Sequence, residues 1–367
     1  QRMDLFSEHK YSWQTSPIMI GYRQSLFGYN SLKWDKRIEP VRYQEAKKSY
    51  VETLELVSAN AINKFFALAT AQSNYDIASF NYANADTLYR YAQGRYNIGT
   101  ITENEMLQLE LNRLTEETNR MNARIEMDNC MQELRSYLGI QEEREIRVRV
   151  SSRIPDFSIN LNEALALAYE NSPDIQTMKR RKLESESAVA RARANAGLKA
   201  DIYLRFGLTQ TADKLPEAYR NLLDQQYVSL SISLPILDWG RGKGQVRVAR
   251  SNRDLVYTQV EQSRTDFELN VRKLVKQFNL QTQRVRIAAR TDETAQRRNE
   301  VARKLYILGK STILDLNASI SEKDSARRNY VSALYNYWSL YYTLRSMTLY
   351  DFESSKLLTE DYNLLIE

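Results

Sequence analysis

The sequence predicts a mainly α-helical fold with short β-strands, in which one unit of strand and long helical hairpin occurs twice. Only 11 Gly and 6 Pro interrupt the 367 residues, which is too few for a fold with many turns and favours long helices. Apolar residues recur at three-and-four spacing over long stretches, and a Tyr-x-x-Gly motif occurs twice. Such spacing predicts helices, and a motif repeated at a fixed offset predicts a duplicated architecture.

The two copies lie 210 residues apart. Tyr96-Asn97-Ile98-Gly99 recurs as Tyr306-Ile307-Leu308-Gly309, and 309 − 99 = 210. Upstream, residues 25–30 match residues 235–240 at the same offset, since 235 − 25 = 210. We therefore expect four segments: a first repeat at 1–140, a connecting segment at 141–200, a second repeat at 201–350 and a C-terminal tail at 351–367.

Each repeat is predicted to begin with β-structure. In residues 227–235, Val228, Leu230 and Ile232 alternate with serines, which gives a strand one apolar and one polar face before Pro235 ends it. A partner strand with the same alternation is predicted at about 201–209. The first repeat has a shorter alternating stretch at about 17–25.

A long helix follows each of these strands. From about 31 to 98 the spacing indicates a coiled-coil-like seam, made of Leu54, Val57, Ala61, Leu68, Ala71, Tyr75, Ala78, Tyr82 and Ala85. In the second repeat Phe267, Val271, Leu274 and Phe278 continue the rhythm. Gly99 and Gly309 are expected to end the long helices, and the chain then returns in helices to about 138 and 349. Two shorter helices are predicted at 158–171 and 174–197.

Composition argues against several classes of function. The chain has one cysteine, Cys130, and one histidine, His9, which disfavours disulfides, Cys-based metal clusters and catalysis by a His base. We expect no enzymatic activity, cofactor or bound metal, and we expect Cys130 to be a packing residue. The net charge of +6 is mild, and no dense basic block suggests nucleic-acid binding. No run of about eighteen apolar residues predicts a transmembrane helix, so strands would have to cross any membrane.

The order of motifs resembles the TolC-like outer-membrane factors, the outer membrane efflux protein family. Residues 234–242 read Leu-Pro-Ile-Leu-Asp-Trp-Gly-Arg-Gly, and a very long helix, a Tyr-x-x-Gly turn and a return helix follow, with Asp315 six residues after Gly309. The resemblance covers nearly the whole chain. It implies a homotrimer in which strands from each protomer form a transmembrane β-barrel and the helical hairpins form an α-barrel. The chain opens just before the family's second strand, so its N-terminal helices and first strand are expected to be absent.

The resemblance also implies a function and partners. It suggests an exit duct in the bacterial outer membrane, extending into the periplasm, for a tripartite efflux or type I secretion system. The expected partners are a periplasmic adaptor protein, an inner-membrane transporter and outer-membrane lipid, with no nucleic acid. In this setting Val228, Leu230 and Ile232 would face lipid while the alternating serines line water. The aromatic residues at the membrane interface would be drawn from Tyr22, Tyr203, Tyr227 and Trp239.

Candidate working residues also follow from the resemblance. The family's gate joins a carboxylate, a tyrosine and an arginine, which correspond to Glu105, Tyr306 and Ser311; the arginine is therefore missing, and Lys310 is the basic neighbour. Asp315 matches an acidic ring at the constriction. Without the resemblance, Glu105 and Asp315 would be interpreted as ordinary solvated charges. The tips expected to contact an adaptor are Asn97, Ile98, Gly99, Thr100, Ile307, Leu308, Gly309 and Lys310.

Two other classes of protein remain as alternatives. A soluble coiled-coil scaffold, such as a basic curved dimer that coats membranes, would explain the long helices and the positive charge. It gives no reason for alternating strands before each hairpin. A periplasmic adaptor also has a long hairpin, but adaptors combine one hairpin with Gly-rich β domains, whereas this chain has two hairpins and little β-structure.

Overall fold

The computed structural model of the chain describes residues 12–141, 145–151 and 154–358. His9 and the end of the predicted tail, 359–367, lie outside the described residues. Strands and helices follow one another along the chain as β1 (Trp13–Ser25), α1 (Ser31–Asn97), α2 (Glu103–Leu138), α3 (Leu161–Asn171), α4 (Pro173–Ala196), β2 (Lys199–Ala212), β3 (Leu223–Ser233), α5 (Arg241–Ile307), α6 (Ile313–Thr348), β4 (Tyr350–Asp351) and β5 (Lys356–Leu357). The predicted fold class, mainly α with short β-strands, is confirmed.

The duplication is also present in the structure. Helices α1 and α5 each have 67 residues, and α2 and α6 each have 36. The first residues of corresponding helices differ by 210, since 241 − 31 = 210 and 313 − 103 = 210. Strands β1 and β3 begin at the same offset, 223 − 13 = 210. The two repeats therefore fold into the same succession of elements.

The described residues form two compact units. Of these residues, the first unit comprises 12–44 and Gln176–Arg264, and the second comprises 45–141, 145–151, 154–175 and 265–358. Each unit draws on both repeats, because α1 and α5 contribute residues to each. The predicted boundaries at 140, 200 and 350 divide the sequence by repeat and stay a prediction.

The first unit contains an antiparallel sheet in the order β1-β2-β3. All three strands begin earlier than their alternating apolar residues indicated, because backbone pairing extends through polar residues such as Thr211 and Gln225. Strand β3 ends before Pro235, which has no N–H group to donate to a neighbouring strand.

The register gives this sheet one apolar face. Ile20 lies opposite Phe206, and Leu204 lies opposite both Tyr22 and Val228. Tyr203 lies opposite Ser229, so it belongs to the other face. Because side chains alternate between faces, Tyr203 and Tyr227 share the polar face with the serines. They therefore do not lie on the apolar face that the sequence analysis expected to meet lipid, whereas Tyr22 does; their place in an aromatic belt stays a prediction.

In the helical part of the first unit, α4 contacts the N-terminal parts of both α1 and α5. An ion pair of 3.3 Å joins Arg42 of α1 to Glu184 of α4. On the other side Lys182 of α4 contacts Glu261 of α5 at 2.8 Å. Helix α4 therefore holds two long helices that are far apart in sequence.

The four hairpin helices of the second unit neighbour one another in the order α2, α1, α6, α5, and α3 packs against α6. Lys64 of α1 pairs with Glu133 of α2 at 2.7 Å. Asn81 of α1 donates a 2.6 Å hydrogen bond to Asp324 of α6. On the far side of α6, the Asn299 amide of α5 donates to the Ser319 hydroxyl at 3.1 Å. The two edges of this layer are therefore α2 and α5.

The core of the second unit confirms most of the predicted seam. Leu68, Ala71, Ala78, Ala85 and Phe278 are buried. The prediction is wrong at Val57, which is 50% exposed, while Glu55 is buried. Two residues turn a helix by about 200°, so a helix that buries Glu55 at this level exposes Val57. The half-buried Arg345 of α6 makes two hydrogen bonds to Glu55 and so keeps this face of α1 toward α6.

Cys130 packs beside a small cluster between α1 and α2 that includes Leu68 and Met127, and it is a free thiol. This agrees with its predicted packing role.

None of the helices in the described residues has both the length and the apolar character needed to span a membrane.

Candidate functional site

The two hairpin tips have the same backbone conformation. Gly99 and Gly309 adopt φ values of 73° and 68°, in the left-handed region that costs least for glycine. The N–H group of Thr100 donates to the carbonyl of Arg95 at 2.9 Å, and that of Lys310 donates to the carbonyl of Leu305 at 2.9 Å. With the bonds from each glycine to the tyrosine three residues earlier, both helices end in a Schellman motif.

A capping box starts each returning helix. The Thr102 hydroxyl accepts the N–H of Glu105 at 3.3 Å, and the Glu105 carboxylate accepts the N–H of Thr102 at 3.1 Å. Thr312 and Asp315 make the same pair of bonds at 3.2 and 3.3 Å. These reciprocal bonds satisfy helix N–H groups that have no partner within the helix.

The capping boxes change the interpretation of the two predicted gate carboxylates. Glu105 and Asp315 occupy equivalent positions, since 315 − 105 = 210, and both bond to their own helix start. The sequence analysis missed this local function. Its signal was a Thr followed three residues later by an acidic residue, directly after the glycine turn.

Ser311 and Asp315 form a local network within the second tip. The Ser311 hydroxyl donates to the Asp315 carboxylate at 3.3 Å, and the Thr312 hydroxyl donates to it at 2.7 Å. Bonds from the Thr312 side chain and backbone, and then from Ser311, hold the pKa of Asp315 below its usual value. Asp315 therefore remains ionised at neutral pH. Lys310 is exposed beside this network.

The structure brings groups of both hairpins to the same end of the second unit. Tyr306 is half-buried, and burial raises the pKa of its hydroxyl. The positive charge of Arg95 opposes this rise, while the Glu105 carboxylate and Tyr91 add to it. Tyr306 therefore lies within electrostatic range of Glu105, and their pairing in a gate stays a prediction. Among the described residues, no hydrogen bond joins Tyr306 to Glu105, and none joins Ser311 or Lys310 to Glu105.

Arg95 is a further basic residue at this place that the sequence analysis missed. Its equivalent in the second repeat is Leu305, since 95 + 210 = 305. A comparison of the two repeats position by position therefore would have identified it, because a charged residue in one copy replaces an apolar residue in the other.

Apolar side chains stand out from both tips. Ile98 is 73% exposed and Leu308 is 66% exposed. Ile307 and Leu314 are also exposed. Adjacent exposed apolar side chains on rigid turns are typical of a surface that a partner covers.

Within the described residues, no group of three or more His, Cys, Asp or Glu side chains is arranged to hold a metal ion.

A family profile described as "Outer membrane efflux protein" matches residues 164–348, which is 185 of the 367 residues, just over half of the chain. The chain belongs to the outer membrane efflux protein family. This is a transport family and not an enzyme family. The match confirms the resemblance that the residues around the second strand and hairpin indicated.

Individual members of the family agree with this assignment. Outer membrane protein TolC of Escherichia coli (strain K12) is 21% identical over 311 residues, which is 82% of this chain and 61% of TolC. The chain thus spans about three fifths of the length of that curated relative.

Solved structures share the fold at low sequence identity. The CmeC outer membrane channel of Campylobacter jejuni has a TM-score of 0.73 and 15% identity, over 97% of this chain and 80% of CmeC. The outer membrane protein VceC of Vibrio cholerae has a TM-score of 0.71 and 14% identity, over 92% and 85% of the two chains. The TolC-like fold of this chain is therefore supported by both the family match and the solved structures.

Proposed function

We propose that this chain is one protomer of an outer-membrane exit duct, which passes solutes delivered by an inner-membrane transporter and a periplasmic adaptor. It resides in the outer membrane and extends into the periplasm. The observation that carries the proposal is the exposed apolar face of the β1-β2-β3 sheet. Ile20 and Val228 are 68% and 69% exposed on it, and burying such a face in lipid is worth roughly 25 cal/mol per Å² of apolar surface.

The helices support assembly with further copies. On α2, the edge of the layer in the second unit, apolar side chains at helical spacing are exposed: Leu107, Leu111, Leu114, Met121 and Ile125. On α5, the opposite edge, Leu280, Ile287 and Val301 are exposed at multiples of seven residues. Exposed seams with three-four or seven-residue spacing are typical of helices that pair with a partner helix.

The two seams agree in level and in charge. Leu107 and Val301 each lie eight residues from their tip glycine (107 − 99; 309 − 301), and Met121 and Ile287 each lie 22 residues from it (121 − 99; 309 − 287). Helix α2 carries eight acidic and four basic residues, whereas residues 280–307 of α5 carry seven basic and three acidic ones. The α2 of one copy therefore fits the α5 of the next in antiparallel orientation, and the family plan sets the number of copies at three.

We assign the constriction of this duct to the tips. The three capped or half-buried groups Glu105, Tyr306 and Asp315 would lie around the axis, with Lys310 and Ser311 beside them. Ser311 replaces the family's arginine. The positive charge that acts on the Tyr306 hydroxyl, by opposing the rise in its pKa, is instead that of Arg95. The adaptor would contact residues 97–100 and 307–310, which carry exposed Ile98 and Leu308.

The first test is the form of the purified protein in detergent. Electron microscopy should show a long hollow particle with three-fold symmetry, and reconstituted protein should conduct ions across a planar bilayer. Ile287→Glu should abolish the trimer, because it places a charge in the proposed seam. Leu314→Glu, at an exposed position of α6, which carries neither seam, should leave it intact. If salt alone extracted the protein from membranes and the particle had no central channel, the coiled-coil scaffold would be supported instead.

The second test concerns the adaptor. A photo-crosslinking amino acid at Ile98 or Leu308 should form adducts with a periplasmic adaptor in cells that carry one. The same amino acid at Leu269 is the control and should form none. Adducts to unrelated proteins alone would contradict the assignment of the tips while leaving the duct itself untouched.

A further inference from the structure

A cavity of about 180 Å³ lies just behind the tips, between helices α1, α5 and α6. Leu88 and Tyr91 of α1 line one side of it. Tyr306 of α5 lines another side, and Leu316 and Ile320 of α6 complete it. The first hairpin supplies α1 and the second supplies α5 and α6, so the cavity is shared between the two hairpins.

The lining is apolar, with few polar groups. Leu316 is buried, and Leu88 and Ile320 are half-buried. The Asn299 amide, which also contributes to the lining, already donates to the Ser319 hydroxyl at 3.1 Å. None of the lining residues is acidic, and the single charged one, Arg303, is exposed. An uncharged apolar molecule therefore suits the interior better than a cation or an anion.

The Tyr306 hydroxyl is one polar group of the lining that is available to a ligand; the Asn84 amide and the Tyr91 hydroxyl also line the cavity. Among the described residues, no hydrogen-bond partner is found for the Tyr306 hydroxyl, although the side chain is half-buried. A ligand that covers this hydroxyl removes it from water, so the ligand has to offer a hydrogen bond in return. The ligand that fits best therefore carries one group able to bond to a phenol.

Size restricts the ligand further. A cavity of about 150 Å³ lined by Leu, Ile and Phe accepts benzene, and the present cavity is slightly larger. We propose that it is a binding site for a neutral molecule of one aromatic ring with a single hydroxyl or similar polar group. Such a molecule would touch both hairpins at once, and its binding would hold them together at the tips. The inference concerns binding and does not depend on the proposed transport function.

Binding can be tested on the full chain in detergent with p-cresol and with toluene, which lacks the hydroxyl. In protein labelled with ¹³C at Leu and Ile methyl groups, p-cresol should shift the signals of Leu88, Leu316 and Ile320 saturably. The signals of Leu134, far from the cavity, should not move. Signals of Ile20 on the sheet report ligand that has merely dissolved in the micelle.

The Tyr306→Phe variant isolates the hydrogen bond. It should weaken p-cresol binding by about fivefold, since one net hydrogen bond is worth roughly 1 kcal/mol, and it should leave toluene binding unchanged. Equal loss of both ligands, or no loss of p-cresol, would contradict the assigned contact.

Filling the cavity provides an independent test. Leu88→Phe and Ile320→Phe should each abolish the p-cresol shifts, and two variants guard against one that fails to fold. Leu314→Phe adds the same ring at an exposed position of α6 and should bind like the unaltered protein. Saturable shifts that persist in both filled variants, or no cavity-specific shift in the unaltered protein, would overturn the proposal.

Discussion

The boundary between α1 and α6 differs sharply between its two ends. At the end remote from the tips, the Arg345 guanidinium makes two bonds to Glu55, at 2.9 and 3.0 Å, and one to Asp351 at 3.4 Å. The Tyr341 hydroxyl donates to the same Asp351. Toward the tips, the last hydrogen bond between α1 and α6 in the described residues is that of Asn81 with Asp324. The hairpins are thus bonded together at one end and only adjacent at the other.

Each tip is nevertheless well defined by itself. The Schellman motif and the capping box bond each turn to its own two helices. The network at Arg345 instead connects residues that are 290 positions apart in sequence. The difference teaches that local order and contact between hairpins are separate properties here, and that each can be changed without the other. It also fits a duct whose hairpins separate at the tips.

The largest effect is expected at the remote end. Arg345→Met leaves the buried Glu55 carboxylate without its partner, and removing one member of a buried ion pair costs about 3–5 kcal/mol. Chemical denaturation followed by circular dichroism should show this loss. Arg297→Met, which breaks an exposed pair with Glu293, should cost about 0–1 kcal/mol.

A double variant distinguishes loss of the attraction between Arg345 and Glu55 from the cost of leaving the Glu55 carboxylate without a partner. Arg345→Met combined with Glu55→Gln should recover part of the stability lost in Arg345→Met alone. If the double variant were much less stable than Arg345→Met alone, the unpaired Glu55 carboxylate would not be the cause of the lost stability.

Two glycines of the second repeat should respond in opposite directions. Gly309→Ala forces a side chain into the left-handed region at φ 68°, which costs about 1–2 kcal/mol. Gly244→Ala lies within α5, where an added Cβ meets no atom within 4 Å, and should stabilise by about 0.5–1 kcal/mol. Thermal unfolding of both variants compares the tip with the helix. Equal shifts of the same sign would contradict the role of the tip backbone.

Loss of a capping box should have a smaller, local effect. Thr312→Ala removes the hydroxyl that accepts from Asp315, and loss of such a cap costs about 1 kcal/mol. Hydrogen exchange measured by mass spectrometry should become faster in the first turn of α6. Thr115→Ala, at an exposed position inside α2, should change exchange little. Faster exchange throughout both hairpins would show that the tips are not independent of the remote end.

The smallest effect concerns pH. Bonds from Thr312 and Ser311 lower the pKa of Asp315 in the folded protein, relative to about 3.9 in an unfolded chain. The carboxylate therefore stabilises the start of α6 above pH 3.9, and this contribution is lost as pH falls through the folded pKa. Exchange in the first turn of α6, corrected for intrinsic rates, should accelerate below about pH 4. Asp315→Asn should remove this pH dependence without affecting Arg345.

Local pattern predicted a large part of the molecule. The repeated Tyr-x-x-Gly motif indicated both turns, and period-two alternation indicated all three strands of the large sheet. The tip residues 97–100 and 307–310 were also placed correctly at helix turns, because a glycine that follows a long stretch of helical apolar spacing commonly ends the helix. Their contact with an adaptor stays a prediction.

Several interpretations failed where a side chain's surroundings come from distant sequence. Val57 fitted the helical spacing but is exposed, because Arg345 determines which face of α1 is buried. The gate role of Glu105 and Asp315 stays a prediction, to which the structure adds that both residues cap their own helices. Tyr203 fitted an aromatic belt by residue type, whereas the strand register puts it on the polar face.

The sequence by itself determined the duplicated plan, the lengths of the helices and the places where they turn, since these depend on local backbone preferences and on the period of apolar residues. Only the tertiary structure decided which helices are neighbours, which end of the α1–α6 boundary is bonded, and that a cavity remains behind the tips. Those properties arise from contacts between residues hundreds of positions apart. No local rule specifies such pairs, because many pairings would satisfy the same apolar pattern.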